Sequence, residues 1–220
     1  MIYQPDWSII TNNLGIFWEG LLLTLRISAL SLLLAIPIGI IVGIGRISKN
    51  RLINFLASAY VEIIRGIPLI VILIWVYFVM GQFLKLGSFW GSIVSLAIFS
   101  GAFIAEIVRG GIQSIPKGQM EAARSSGMTH FQAMKLIILP QAIRKTLPPM
   151  ASQFILLIKD SSLVSTISAV DLTLKATNLA AVSYRYIEIW SFVAVVYFAV
   201  TFTLSLIIRQ FEKKLLKNEF

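Results

Sequence analysis

The chain contains no cysteine and a single histidine, His130. The first absence excludes disulfides and any cysteine nucleophile. The second argues against a histidine-built metal centre. Charge is scarce as well: Asp, Glu, Lys and Arg make up 13% of the 220 residues. An ordinary soluble domain carries roughly 25%. No G-x-x-x-x-G-K-[ST] stretch occurs, so the chain lacks a phosphate-cradling loop of that type. No Ser–His–acid set and no catalytic carboxylate pair suggests itself, so neither hydrolytic chemistry nor a cofactor is expected.

Apolar residues are abundant, at 57%, with a mean hydropathy of +0.85. A bilayer-crossing helix needs roughly 20 mainly apolar residues. The expected fold is an all-α integral membrane protein with about five transmembrane helices, forming one membrane domain over residues 1–220. The apolar runs fall near 14–44, 53–84, 89–112, 147–170 and 187–208. The stretch at the start lacks a basic n-region, so the first run is expected to be retained as a span. The second run is interrupted by "RGIP", residues 65–68. Proline removes a donor there, and such a break is tolerated in a membrane where it is buried in protein or faces a cavity. The fourth run is expected to start near Leu147 at Pro148 and Pro149.

The net charge is +9. On a membrane chain such an excess reflects basic residues crowded on cytoplasmic loops, and no nucleic-acid partner is expected. Arg46, Lys49 and Arg51 follow the first run. Arg109, Lys117, Arg124, Lys135, Arg144 and Lys145 lie around the third connection, and Arg209, Lys213, Lys214 and Lys217 close the chain. The opposite side holds Lys85, Lys175 and Arg185. The amino terminus is therefore expected outside and the carboxyl terminus in the cytoplasm of a prokaryotic plasma or inner membrane.

One stretch, "EAARSSGMTHF" at 121–131, is too polar to cross a bilayer. It lies in a polar segment of about 113–146 that the orientation places in the cytoplasm. Residues 119–126 can form about two helical turns, with Glu121 and Arg124 paired three apart. Met120, Ala123 and Gly127 share a small face suited to close approach by another protein, and Gly127 suits a C′ position. Thr129 and Gln132 form a T-x-x-Q capping box that opens a second helix. A helix lying on anionic lipid headgroups is the simpler reading of the same stretch, with Arg124 and Lys135 facing the lipid.

These residues carry a resemblance. Glu121-Ala122-Ala123, Gly127, Ile137 and Leu139-Pro140 match all seven positions of the EAA loop. That loop marks the membrane subunits of bacterial ATP-binding-cassette (ABC) importers. "YVEIIRGIPLIV" (60–71), "LPQAIRKTLPPMASQF" (139–154) and "LIKDSSLVS" (157–165) resemble segments of the polar amino-acid branch of type I importers. The resemblance covers roughly residues 15–215. It implies a permease subunit whose coupling loop, through Glu121, Ala122, Ala123, Gly127, Leu139 and Pro140, docks on a separate ABC ATPase. It also implies two ATPase copies, a second permease subunit (identical or similar) and an extracellular or periplasmic amino-acid-binding protein. ATP hydrolysis is then expected in the partner, not in this chain.

Glu62 and Asp160 are expected roughly 14 and 20 Å from the cytoplasmic helix ends, inside the hydrocarbon layer. Ionisable groups there usually mark a pathway. Glu62 can instead pair with Arg65 three residues on, whereas Lys159 cannot face its neighbour Asp160 on a regular helix. The functional reading places Glu62, Gly66, Asp160, Ser161 and Ser162 around a substrate, as the resemblance implies. A carboxylate there favours a cationic amino acid such as arginine, lysine or histidine. Glutamine or another polar amino acid is the alternative within the same machinery, and a passive channel subunit is the alternative outside it. Arg26 can pair with Glu19, Glu106 with Arg109, and Trp7, Trp18, Trp90 and Trp190 read as interfacial anchors.

Overall fold

The computed structural model describes residues 4–217, without the side chains of residues 212 and 214–217. Lys214 and Lys217, counted above in the basic tail, thus have side chains outside the described residues. Helices account for all the regular structure described. In chain order they are α1 (Ser8–Thr11), α2 (Leu14–Gly45), α3 (Arg51–Gly66) and α4 (Leu69–Trp75). A π-turn (Val76–Met80) leads to α5 (Gly81–Leu84), α6 (Ser88–Gln113), α7 (Lys117–Ser125) and α8 (His130–Ala133). A second π-turn (Met134–Ile138) opens α9 (Leu139–Asp160), followed by a 3-10 segment (Ser161–Ile167), α10 (Leu172–Ser183) and α11 (Tyr186–Lys217).

Helices within Leu14–Gly45, Ser88–Gln113 and Tyr186–Phe211 are each long and apolar enough to cross a membrane. Arg51–Gly66 and Leu69–Leu84 meet the same test only together, around a break at Ile67 and Pro68. Among the described residues there are therefore three candidate spans, or four if the broken pair is one span. The expected fourth run, 147–170, does not qualify. α9 carries Arg144, Lys145, Lys159 and Asp160, and then tightens into the 3-10 segment. Its prolines also differ from expectation. Pro148 and Pro149 lie inside α9 instead of opening it. The helix is already running by then, continuous with the π-turn that ends at Ile138. A mid-helix proline leaves a carbonyl unpaired one turn back.

The residues group into two compact units. The first comprises the chain up to Leu33, Ile67–Ala97 and Phe154–Ile207. Its core joins Phe17 to Leu172, Ala176, Ala180, Ile189 and Val193. Close approach of backbones explains Gly20: a Cβ there would stand 2.8 Å from the Leu172 Cα. Beside it the buried Thr24 hydroxyl donates to the Gly20 carbonyl and accepts from the Leu172 amide at 3.1 Å. Asp171 caps α10 by accepting from the Leu174 amide at 2.9 Å. Burial pushes the Asp171 carboxyl up to about 6, since the charged form loses hydration that its hydrogen bonds at the start of α10 do not fully replace. Glu19 pairs with Lys175 at 3.0 Å, not with Arg26, which is exposed.

The second unit comprises Leu34–Gly66, Ile98–Gln153 and the chain from Ile208 on. Here the end of α2 packs on the end of α6. A Cβ on Gly43 would lie 2.7 Å from the Ala105 carbonyl oxygen, so only glycine permits that approach. α3 joins them through buried Val61 against Ala102 and Ala105. The Tyr60 hydroxyl donates to the Ile98 carbonyl at 2.6 Å.

Candidate functional site

Two groups of residues in the second unit carry the chemistry, and a third lies in the first unit. The first group is a charge cluster. Arg46, just past the end of α2, binds Glu106 of α6 through one guanidinium nitrogen and Glu62 of α3 through the other, the latter at 3.2 Å. Glu106 also holds Arg109, whose Nε donates at 3.0 Å, and Arg109 reaches Gln113 one turn on. The Asn54 side-chain Nδ2 donates to the Arg46 carbonyl, which fixes the turn into α3. The expected Glu62–Arg65 pair does not form. Arg65 instead lies over the Phe103 ring, 5.3 Å from its centroid, an arrangement that favours a planar cation. Glu106 with Arg109 pairs as expected. Nothing local in the sequence pointed to Arg46, whose partners are 16 and 60 residues away.

The second group is the polar loop. α7 ends in a Schellman turn: the Gly127 amide donates to the Arg124 carbonyl at 3.1 Å, and the Met128 amide to Ala123 at 3.2 Å. Gly127 adopts φ +85°, a conformation that disfavours other residues. Thr129 and Gln132 form the reciprocal capping box, at 2.8 and 3.2 Å, that opens α8. Two details depart from expectation. Glu121 and Arg124 do not pair; Arg124 donates to the Met128 carbonyl at 2.8 Å, in the turn between α7 and α8. Ala123 is buried, and Met120 packs beside Ile115, Ile138 and Ala142. The face first assigned to a partner therefore turns into the chain itself, because Met120 is the helix's one large apolar knob. The outward stripe is Gly118, Glu121, Ala122 and Ser125, all exposed and spaced three, four and seven residues from the first. Gly127 and Pro140 are exposed, and Leu139 is half-buried.

The third group is at the end of α9. Asp160 is half-buried and has no hydrogen bond or ion pair among the described residues; Lys159 is the neighbouring charge. Ser161 is buried and its hydroxyl donates to the Ile158 carbonyl at 2.8 Å. The Ser162 carbonyl accepts from Ser165 at 2.8 Å. Asp160, Ser161 and Ser162 belong to the first unit, whereas Glu62 and the exposed Gly66 belong to the second. Among the described residues no group of His, Asp and Glu could hold a metal ion.

Apolar helices long enough to cross a membrane, together with a capped polar loop, define an all-α membrane protein. Residues 35–217 match the family described as binding-protein-dependent transport system inner membrane component, and the chain belongs to that family. It is 40% identical to the probable glutamine ABC transporter permease protein GlnM of Bacillus subtilis, over 96% of this chain and 98% of that one. It is 38% identical to the glutamine transport system permease protein GlnP of Escherichia coli strain K12, over 96% and 98%. A crystal structure of an amino acid ABC transporter with histidines superposes with a TM-score of 0.91 at 38% identity, covering 96% of this chain and all of that one. Other relatives are named for glutamate/aspartate import and arginine transport. The chain is thus a permease subunit of an amino-acid ABC importer, a transport component of a binding-protein-dependent system.

Glu106 serves two arginines with a side chain only 28% exposed, whereas Glu62 is 70% exposed. Glu106→Gln should therefore destabilise the folded subunit by about 1–3 kcal/mol, since it strips two partly buried cations. Glu62→Gln should cost less than about 1 kcal/mol. Thermal unfolding of the detergent-purified subunit, followed by tryptophan fluorescence, measures both; equal losses would contradict the ranking.

Proposed function

We propose that this permease carries a cationic amino acid, arginine, lysine or histidine, with Asp160 contacting the ligand. The supporting observation is the Asp160 carboxylate, half-buried yet without a hydrogen bond or ion pair among the described residues. A half-buried carboxylate without a partner is costly unless a cation compensates it. Glu62, already bound to Arg46, plays a secondary role on this reading. The Ser161 hydroxyl is engaged within its own turn, so Ser161 and Ser162 would offer backbone groups beside the ligand. Glutamine is the second reading, favoured by the names of the relatives at 40% and 38% identity.

On this proposal two permease copies form the path, two ATPase subunits sit on their polar loops, and the amino terminus faces outward. Alternating access would then move the ligand site from outside to inside. The binding protein and ATP would favour the outward state through differential affinity. The loop would meet the ATPase with Gly118, Glu121, Ala122 and Ser125, while Ala123, Gly127, Leu139 and Pro140 hold its shape.

Two experiments test these statements. In proteoliposomes holding the importer and its binding protein, Asp160→Asn should reduce the arginine-to-glutamine uptake ratio about tenfold, a loss of about 1.4 kcal/mol of discrimination. An unchanged ratio sinks the assignment of Asp160, and a wild type that prefers glutamine supports the second reading. For the loop, Ala122→Phe should abolish uptake while the subunit still inserts, and Ala122→Ser should transport within about twofold of wild type, given that the added hydroxyl on an exposed position is tolerated. Full uptake by Ala122→Phe counts against docking through that face.

A further inference from the structure

The second unit contains a cavity of about 1200 Å³ that none of the roles above uses. Three segments line it: the turn after α2, the stretch from the end of α6 into α7, and α8 with its π-turn. Its apolar wall includes Ile44, Ile112, Phe131 and Ile138. Lys49, Lys117 and Lys135 stand around it, and none of them has an ion-pair partner among the described residues. His130 also lines it, and so does Arg46, whose charge is already met by Glu62 and Glu106. No carboxylate lines the cavity.

We infer that this cavity holds an anionic phospholipid, with the headgroup phosphate among Lys49, Lys117 and Lys135 and an acyl chain along the isoleucine wall. Depth supports the assignment. The candidate spans Leu14–Gly45 and Ser88–Gln113, both longer than the roughly 20 residues a bilayer needs, end here, and the cavity lies at those ends among basic residues of the kind that crowd the cytoplasmic membrane surface. Chemistry supports it too: an amphiphile with a negative head matches an apolar wall bordered by unpaired cations. Each lysine near an anionic lipid surface contributes roughly a fivefold preference. The ATPase is the other large partner, but the two surfaces are distinct. Met120 lines the cavity, whereas Ala122, two residues along α7, belongs to the outward stripe. Two residues along a helix point about 200° apart. The inference does not depend on which amino acid is carried.

The test uses the importer complex, permease with its ATPase, in nanodiscs of equal phosphatidylglycerol and phosphatidylcholine. Lipids retained after detergent extraction are counted by mass spectrometry. Phosphatidylglycerol should be enriched in the wild type. Lys49→Gln, Lys117→Gln and Lys135→Gln combined should lower that enrichment at least tenfold, with the ATPase still bound. Equal enrichment in the variant overturns the inference. So does protection of Lys135→Cys from maleimide by ATPase alone in zwitterionic lipid, which would make the cavity an ATPase contact. If the triple variant does not accumulate, a photoactivatable phosphatidylglycerol on the wild type decides. It should label residues 44–49 and 130–139. Equal labelling by the phosphatidylcholine analogue would overturn the inference.

Discussion

The Arg46 guanidinium is the interaction on which the second unit depends. A cation at the end of a long apolar helix must either reach water or find anions. Arg46 finds two, Glu106 on α6 and Glu62 on α3, and so ties three helices at one level. Glu106 passes the constraint to Arg109 and from there to Gln113, the last residue of α6. Just beyond, the Ser114 carbonyl accepts from Lys145 of α9 at 3.2 Å. The polar loop thus hangs between two helices whose ends are fixed by charge and hydrogen bonds. The small residues above the cluster, Gly43 and Ala105, matter because they bring α2 and α6 close enough for the cluster to close.

The loop itself is rigid for local reasons. The Schellman turn at Gly127 and the capping box at Thr129 satisfy the ends of α7 and α8 within five residues of each other. A force applied to the outward stripe of α7 would therefore move the helix as a body. Met120 inserts it into the Ile115, Ile138 and Ala142 cluster, at the base of α9. On the proposed reading that contact carries ATPase closure towards Asp160 at the other end of α9. On the same reading, one short helix presents a partner-facing stripe on one side and borders the cavity on the other.

What the sequence made legible was local. The caps of the loop depend on residues three to five apart, and Thr129, Gln132 and Gly127 take the expected conformations. The three apolar helices follow from composition over a window of consecutive residues. What stayed hidden was non-local. The partner of Glu62 is 16 residues away, across a turn, and its nearer candidate Arg65 is drawn to Phe103 instead. The inward direction of Met120 depends on a cluster built by Ile115, Ile138 and Ala142, which helical spacing alone does not reveal. The start of α9 was misplaced because Pro148 and Pro149 look like a helix beginning, while the helix has already started at Leu139.

The central claim is that α7 meets the ATPase through Ala122 and its neighbours and turns Ala123 into the permease. The absence of native cysteine makes single-cysteine cross-linking a direct measurement. Ala122→Cys and Ala123→Cys would each be assembled with the ATPase and treated with a short maleimide–amine cross-linker. Strong cross-linking of Ala122→Cys to the ATPase with little or none for Ala123→Cys is the predicted result. Equal cross-linking at the two positions, or a stronger product at Ala123→Cys, would contradict the account.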